Sequence, residues 1–220
     1  MSRERIENKY GKRYFEEYAI LSLVMCYDRR LQSLLEAECH AESPDFQDFC
    51  INLGIEVTRA ETKRYGEYSA VINHYFGKGN KPEFIQQEIK RRFPKFSDNI
   101  FIDGDTFAFY EECDTKAVII DLKKSISEKL QKLNSGYKVF EQNWLYIFSG
   151  TSVLNEEDMT NLMNKETKSY QIQFNKIFVN CFDRIYILEN YELIQTVFLS
   201  NEELIQIKKK AFKRVGNSPK

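Results

Sequence analysis

The sequence predicts an α/β fold in which a central mixed β-sheet is flanked by helices. Three observations lead there. Apolar side chains recur at helical spacing through two long stretches, residues 4–38 and 117–134. Short apolar runs bounded by turn residues recur around them, at 46–58, 100–110, 144–148 and 185–199. The 220 residues are 42% apolar and 30% charged with a net charge of −1, a composition that can bury a core and excludes wholesale disorder. Helices and strands that alternate in this way build a sheet covered on its faces.

Residues 4–38 read as helix with a break near Asp28. Ala19, Leu21, Leu23 and Val24, then Leu31, Leu34 and Leu35, mark its apolar side. Pro44 stops it, because a proline disfavours helical backbone in the residue before it. Phe46–Leu53 and Ile55–Thr58 read as two short strands around a turn at Asn52–Gly54. Residues 62–77 read as helix, closed by the turn cluster Gly77-Lys78-Gly79-Asn80. Pro82 starts another helix, with Phe84, Ile85 and Ile89 on one side, and Pro94 ends it. Asp103-Gly104-Asp105 between apolar runs predicts a hairpin.

Residues 117–134 are the clearest helix. Ile119, Leu122, Ile126, Leu130 and Leu133 repeat at spacings of three and four, and Gly136 suits a C-terminal cap. Trp144–Phe148 reads as a buried strand. A further helix is expected from Asn155 to Cys181. Ile185–Leu188 and Leu193–Leu199 read as strands around Glu189-Asn190, and Asn201–Arg214 as an amphipathic helix with a basic end. One domain over 1–220 is expected, with an inserted subdomain at about 62–116 and a basic C-terminal tail at about 208–220.

Thirty-two Lys and Arg stand against thirty-three Asp and Glu, so contact with nucleic acid needs a local patch. The best candidate is residues 78–95. There Lys78, Lys81, Lys90, Arg91, Arg92 and Lys95 face only Glu83 and Glu88, with Phe84 and Phe93 interleaved. A solvated helix face is the plain alternative. No apolar stretch reaches the roughly 18 residues of a membrane helix, and the charged N-terminus lacks the apolar centre of a signal peptide. Five scattered cysteines without a CxxC pair suggest a reducing compartment. The expectation is a cytoplasmic protein with no membrane partner.

Chemistry concentrates in residues 43–60, SPDFQDFCINLGIEVTRA. If its two strands pair as a hairpin, Asp45 and Glu56 lie on neighbouring strands and converge. Two convergent carboxylates form a hard-oxygen site suited to Mg²⁺ or Mn²⁺. Such an ion polarises phosphoryl oxygens and acidifies water. Alternation puts Ile55 and Val57 toward the core and Glu56 with Thr58 on the other face. A carboxylate there needs a partner, either a metal or a cation such as Arg59, Lys63 or Arg64.

This stretch resembles the PD-(D/E)xK nuclease superfamily, the restriction-endonuclease-like enzymes. Pro44-Asp45 matches the first part of the motif and Ile55-Glu56-Val57 the second; Thr58 stands where the motif has lysine. The resemblance implies a core of helix, three strands, helix and a further strand. It also implies a divalent metal on Asp45 and Glu56, and hydrolysis of a nucleic-acid phosphodiester, DNA first. Thr58 would contact the water or the metal shell. Lys63, or Lys129 at the border of the 117–134 stripe, would supply the missing charge, although Lys129 snorkelling to solvent is the plain alternative. Tyr137, just past that helix, is a further candidate to approach the site, with aromatic packing as the plainer reading. The threonine keeps a second reading open: a catalytically inactive binding or assembly module in a defence or mobile-element system. A third is an unrelated α/β interaction protein using its 17 Phe and 13 Tyr residues at a partner surface. A homodimer is compatible with each.

Overall fold

Helix α1 spans Lys12–Cys26 and buries Tyr18, Ala19, Ile20, Leu23 and Val24. It stops where Asp28 turns extended; the Asp28 carboxylate accepts the Arg30 N–H at 2.9 Å and opens a 3₁₀ helix over Arg29–Leu35. Strand β1 (Phe46–Asp48) then pairs antiparallel with β2 (Leu53–Arg59). Asp48 sets their turn one step earlier than the sequence suggests. Its Oδ1 accepts N–H groups of Cys50 and Ile51, and Asn52 takes a left-handed φ of 52°. Gly54 therefore belongs to β2, not to the turn.

Helix α2 (Pro82–Arg92) and the antiparallel hairpin β3 (Ile100–Asp103) and β4 (Thr106–Phe109) follow. Helix α3 (Thr115–Ser135) buries the predicted stripe of Leu122, Ile126, Leu130 and Leu133, with Val118 replacing Ile119 at its start. Then come β5 (Gln142–Phe148), the short helix α4 (Glu156–Thr160), β6 (Lys176–Asn180), β7 (Arg184–Glu189), β8 (Glu192–Phe198) and α5 (Asn201–Asn217). The computed structural model describes residues 12–36, 39–60, 81–92, 100–103, 106–109, 115–149, 154–162 and 169–217. The chain divides into two units: residues 12–61 with 115–220, and residues 1–11 with 62–114. The helix expected at 62–77 lies outside the described residues.

The first of these units carries a six-stranded mixed sheet in the order β1-β2-β5-β6-β7-β8. β2, β5 and β6 are parallel, as strands joined by crossovers must be, and the outer pairs are antiparallel. One face packs α1 and the 3₁₀ helix onto Ile55, Val57, Tyr146, Phe178 and Ile187. Register places Glu56, Leu145, Ile177 and Leu188 in one row across the other face. Helix α3 reaches that face: Lys129 meets Glu56, and Asn134 exchanges hydrogen bonds with Ile172.

The helix expected over Asn155–Cys181 is a correction. Among the described residues of that stretch, α-helix covers Glu156–Thr160, capped by Asn155 and Asp158, and Lys176–Asn180 is a strand. The run KIFVN is apolar on both sides because it is a central strand buried on both faces, a pattern that periodicity alone does not separate from a buried helix. The final hairpin turns on Asn190 and Tyr191, both at positive φ. Residues 208–217 lie within α5, which packs along α1. Arg214 bonds Glu17 and the Leu35 carbonyl, and Phe212 stacks on Tyr14.

One polar chain crosses the core. The fully buried Tyr146 hydroxyl lies 2.8 Å from Ser22 Oγ and accepts Asn180 Nδ2 at 2.8 Å. Tyr146→Phe takes the acceptor from Asn180 while Ser22 keeps its bond to the Ala19 carbonyl. The expected loss is about 1–3 kcal/mol, read as a lower urea midpoint at unchanged m-value.

Candidate functional site

Asp45 sits immediately before β1. The register Phe46 to Ile55, continued one position, sets Asp45 opposite Glu56. Both are buried, at 1% and 3% exposure. Asp45 Oδ2 accepts the Val57 N–H at 2.8 Å, which ties it to the middle of β2. Asp45 Oδ1 accepts from Lys12 Nζ at 2.6 Å. The same ammonium lies 3.2 Å from Glu16 Oε1, so Lys12 bridges two carboxylates from the first turn of α1.

Glu56 looks toward α3. Its Oε1 accepts from Lys129 Nζ and, at 2.9 Å, from the Tyr137 hydroxyl. Its Oε2 is buried with no hydrogen-bond partner. A buried carboxylate oxygen left in that state is costly unless something cationic or hydrogen-bonding meets it. Lys129 extends from the edge of the buried stripe and only 17% of its side chain is exposed. It therefore turns into the site rather than out to solvent. Arg59, the neighbouring alternative partner for Glu56, instead lies over the Phe15 ring.

The charges act on one another. Burial and then the Asp45 charge push the Glu56 carboxyl above its ordinary value, against the opposing pull of Lys129 and Tyr137. Burial and Asp45 likewise raise Glu16, against Lys12 and Arg13. Burial alone would lower Lys12, but its bonds to Asp45 and Glu16 hold its ammonium above the usual range. Burial and the Glu56 charge raise the Tyr137 phenol. Glu16, Lys12 and Tyr137 are thus part of the same cluster.

Gly54 lies tight against Pro44 and Phe140. A Cβ at this position would fall 2.6 Å from Phe140 Cδ2 and 2.7 Å from Pro44 Cγ, closer than carbon atoms approach. The absent side chain lets Pro44, and with it Asp45, lie flat on β2. Gly54→Ala is expected to cost about 1–3 kcal/mol in a denaturant titration, by forcing ring and backbone shifts.

The other candidates are distributed differently. Thr58 is half-buried two positions beyond Glu56 and shares its face of β2. Lys63, Lys78 and Lys95 lie outside the described residues. Lys81, Lys90, Arg91 and Arg92 are exposed in the other unit, and Arg91 and Arg92 both pair with Glu88. Those two guanidiniums are thus engaged within their own helix. Among the described residues, no helix is long and apolar enough to cross a membrane, and no three His, Cys, Asp or Glu side chains converge as a ready-made metal group.

Compared with protein-family models, curated proteins and solved structures, the chain matches none.

Proposed function

We propose that this chain is a metal-dependent phosphodiesterase of nucleic acid, DNA first, with a restriction-endonuclease-like core. The observation that carries the reading is Glu56: a carboxylate on a central strand, opposite Asp45, with one oxygen held by a helix-borne lysine and the other buried without a partner. The order of elements supports it. Helix α1, strands β1 and β2, helix α3 and the parallel strand β5 follow the core that the motif implies. Among the described residues, two strands of this unit, β1 and β2, precede α3, where the motif implies three.

The donor set suits a divalent ion of the Mg²⁺ or Mn²⁺ type. Asp45 Oδ1 and Glu56 Oε2 are hard oxygens from facing positions, and the orphaned Oε2 is the atom most in need of a cation. Bound there, such an ion would polarise a phosphoryl oxygen and lower the pKa of a water. The chain's own residues do the rest. Val57 N–H and Tyr137 OH fix the two carboxylates in place. Lys129, anchored on Glu56, keeps an ammonium beside the reacting phosphate, where it orients the water and meets developing negative charge. Water oxygen joins phosphorus, one P–O ester bond breaks, and the proton that the water gives up passes through solvent to the departing oxygen. Lys129 thereby stands in for the lysine that Thr58 replaces.

The test is cleavage of DNA with added Mg²⁺ or Mn²⁺ by the native protein and by Asp45→Asn and Glu56→Gln. Loss of cleavage in both variants supports the reading, and undiminished cleavage in both removes it. A second reading, the inactive binding module, is favoured by the lysine pairing of both carboxylates. It gains if Mn²⁺ leaves the thermal midpoint unchanged.

A further inference from the structure

We propose that Lys12 is a displaceable cation that sets how tightly the Asp45 side of the site takes a divalent ion. The inference rests on the metal-dependent reading above and concerns a residue outside the sequence motif.

Two lysines face the three carboxylates of the cluster, and they are not alike. The Lys129 side chain is 17% exposed against a Glu56 side chain at 4%. The Lys12 side chain is 68% exposed, while the Asp45 it contacts is at 0% and Glu16 at 10%. Lys129, mostly enclosed and bonded to Glu56 Oε1, is the more firmly held of the two. Lys12 holds its stem in water, so its ammonium can swing away without loss of packing.

The oxygens decide what that movement does. Asp45 Oδ2 is committed to the Val57 N–H, so Oδ1 is the oxygen left for a ligand, and Lys12 Nζ occupies it at 2.6 Å. Glu56 Oε2 has no partner and asks for no displacement. An ion entering from the Glu56 side therefore meets a free oxygen, whereas its bond to Asp45 requires Lys12 to withdraw. The ammonium and the ion compete for one atom, and each repels the other at close range. Without the ion, Lys12 keeps Asp45 and Glu16 from facing each other as unscreened like charges. With the ion, the released ammonium stands at the rim, free to meet a substrate phosphate. A phosphate that engages Lys12 removes the competitor, so substrate and metal strengthen each other's binding.

Calorimetric Mn²⁺ titration of the native protein, Lys12→Met, Lys12→Gln, Lys12→Arg and Asp45→Asn tests this. The neutral variants are expected to bind Mn²⁺ about tenfold or more tightly than the native protein, because a like charge is removed from contact distance. Lys12→Arg, which keeps the charge, is expected to bind no more tightly than the native protein, and Asp45→Asn more weakly. Without metal, Lys12→Met is expected to melt below the native protein and to gain the larger Mn²⁺ shift. Native-like or weaker affinity in both neutral variants, with Asp45→Asn still impaired, would overturn the role of Lys12 and leave the metal site standing. Absence of Mn²⁺ binding in the native protein and in both neutral variants would overturn the two together.

Discussion

Lys129→Met unfolds at markedly lower urea concentration than the native protein at pH 8, with a loss of about 3–5 kcal/mol. Removing one member of a buried pair strands the other charge away from water. Glu56 then keeps only the Tyr137 hydroxyl on Oε1, and Oε2 has nothing. The loss depends on pH, and its sign follows from linkage. The Glu56 carboxyl is already raised by burial and by Asp45, and without Lys129 it rises further. Below about pH 4.3, the value of an unfolded glutamate, folded and unfolded chains both carry the proton and the penalty shrinks. Above it the unfolded chain releases its proton first, and the penalty grows with pH. Lys129→Met with Glu56→Gln removes both charges, so the double variant recovers most of the stability that Lys129→Met alone loses. An equal loss in single and double variants would show that Lys129 acts through its methylene packing instead.

Glu56→Gln separates stability from chemistry. Its cleavage rate with Mg²⁺ is expected to fall on the order of a thousandfold, the scale of several kcal/mol of lost charge stabilisation. Its stability is expected to move the other way. A carboxyl raised in the folded state contributes fully below its unfolded pKa and loses that contribution as pH rises toward the folded one. Glutamine has no charge to bury and keeps an oxygen for Lys129 and Tyr137, so the Lys129 ammonium still has an acceptor, whereas Lys129→Met leaves the Glu56 carboxylate with the Tyr137 hydroxyl alone. At pH 7.5 the variant should melt above the metal-free native protein, and the gap should close below about pH 4. Added Mn²⁺ should raise the native midpoint and leave the variant's in place. A site whose residues oppose each other in the absence of ligand is the usual compromise between function and stability. If Glu56 were a structural ion-pair residue, the variant would instead melt lower at neutral pH.

Much of this architecture is legible in the residues, for identifiable reasons. Helix α3 declares itself because its stripe is long and regular, and the β7–β8 hairpin because Asn190 permits a left-handed turn. The pairing of Asp45 with the middle of β2 follows from alternation, since Ile55 and Val57 must face the core. Strand β6 misleads because burial on both faces erases the polar half of its pattern. The turn at 49–52 misleads because Asp48, an unremarkable residue in sequence, organises it through its side chain.

In the site, Lys129 can be singled out because it borders the apolar stripe of its helix. Glu16 and Lys12 cannot, because nothing in a linear reading places the start of α1 over Pro44-Asp45. The signal they do leave is faint: a lysine and a glutamate four apart, beside a second glutamate that is also buried in a helix otherwise rich in aromatic and aliphatic residues. Buried glutamates on the apolar side of a helix need partners, and here one finds Lys12 and the other Arg13 and Arg214. Burial raises Glu17, but His40 and Arg214 more than offset it and hold its carboxyl below the ordinary range, which fits a structural clasp between α1 and α5. Glu16, raised by burial and by Asp45, belongs to the cluster around Asp45 and Glu56 instead.

An anomalous difference map from crystals grown with Mn²⁺ addresses the whole account at once. It should show a peak bonded at about 2.1 Å to Asp45 Oδ1 and Glu56 Oε2, with Lys12 turned away and Lys129 still on Glu56 Oε1. A map without density between these carboxylates, and with Lys12 and Lys129 both holding the partners described above, would contradict it.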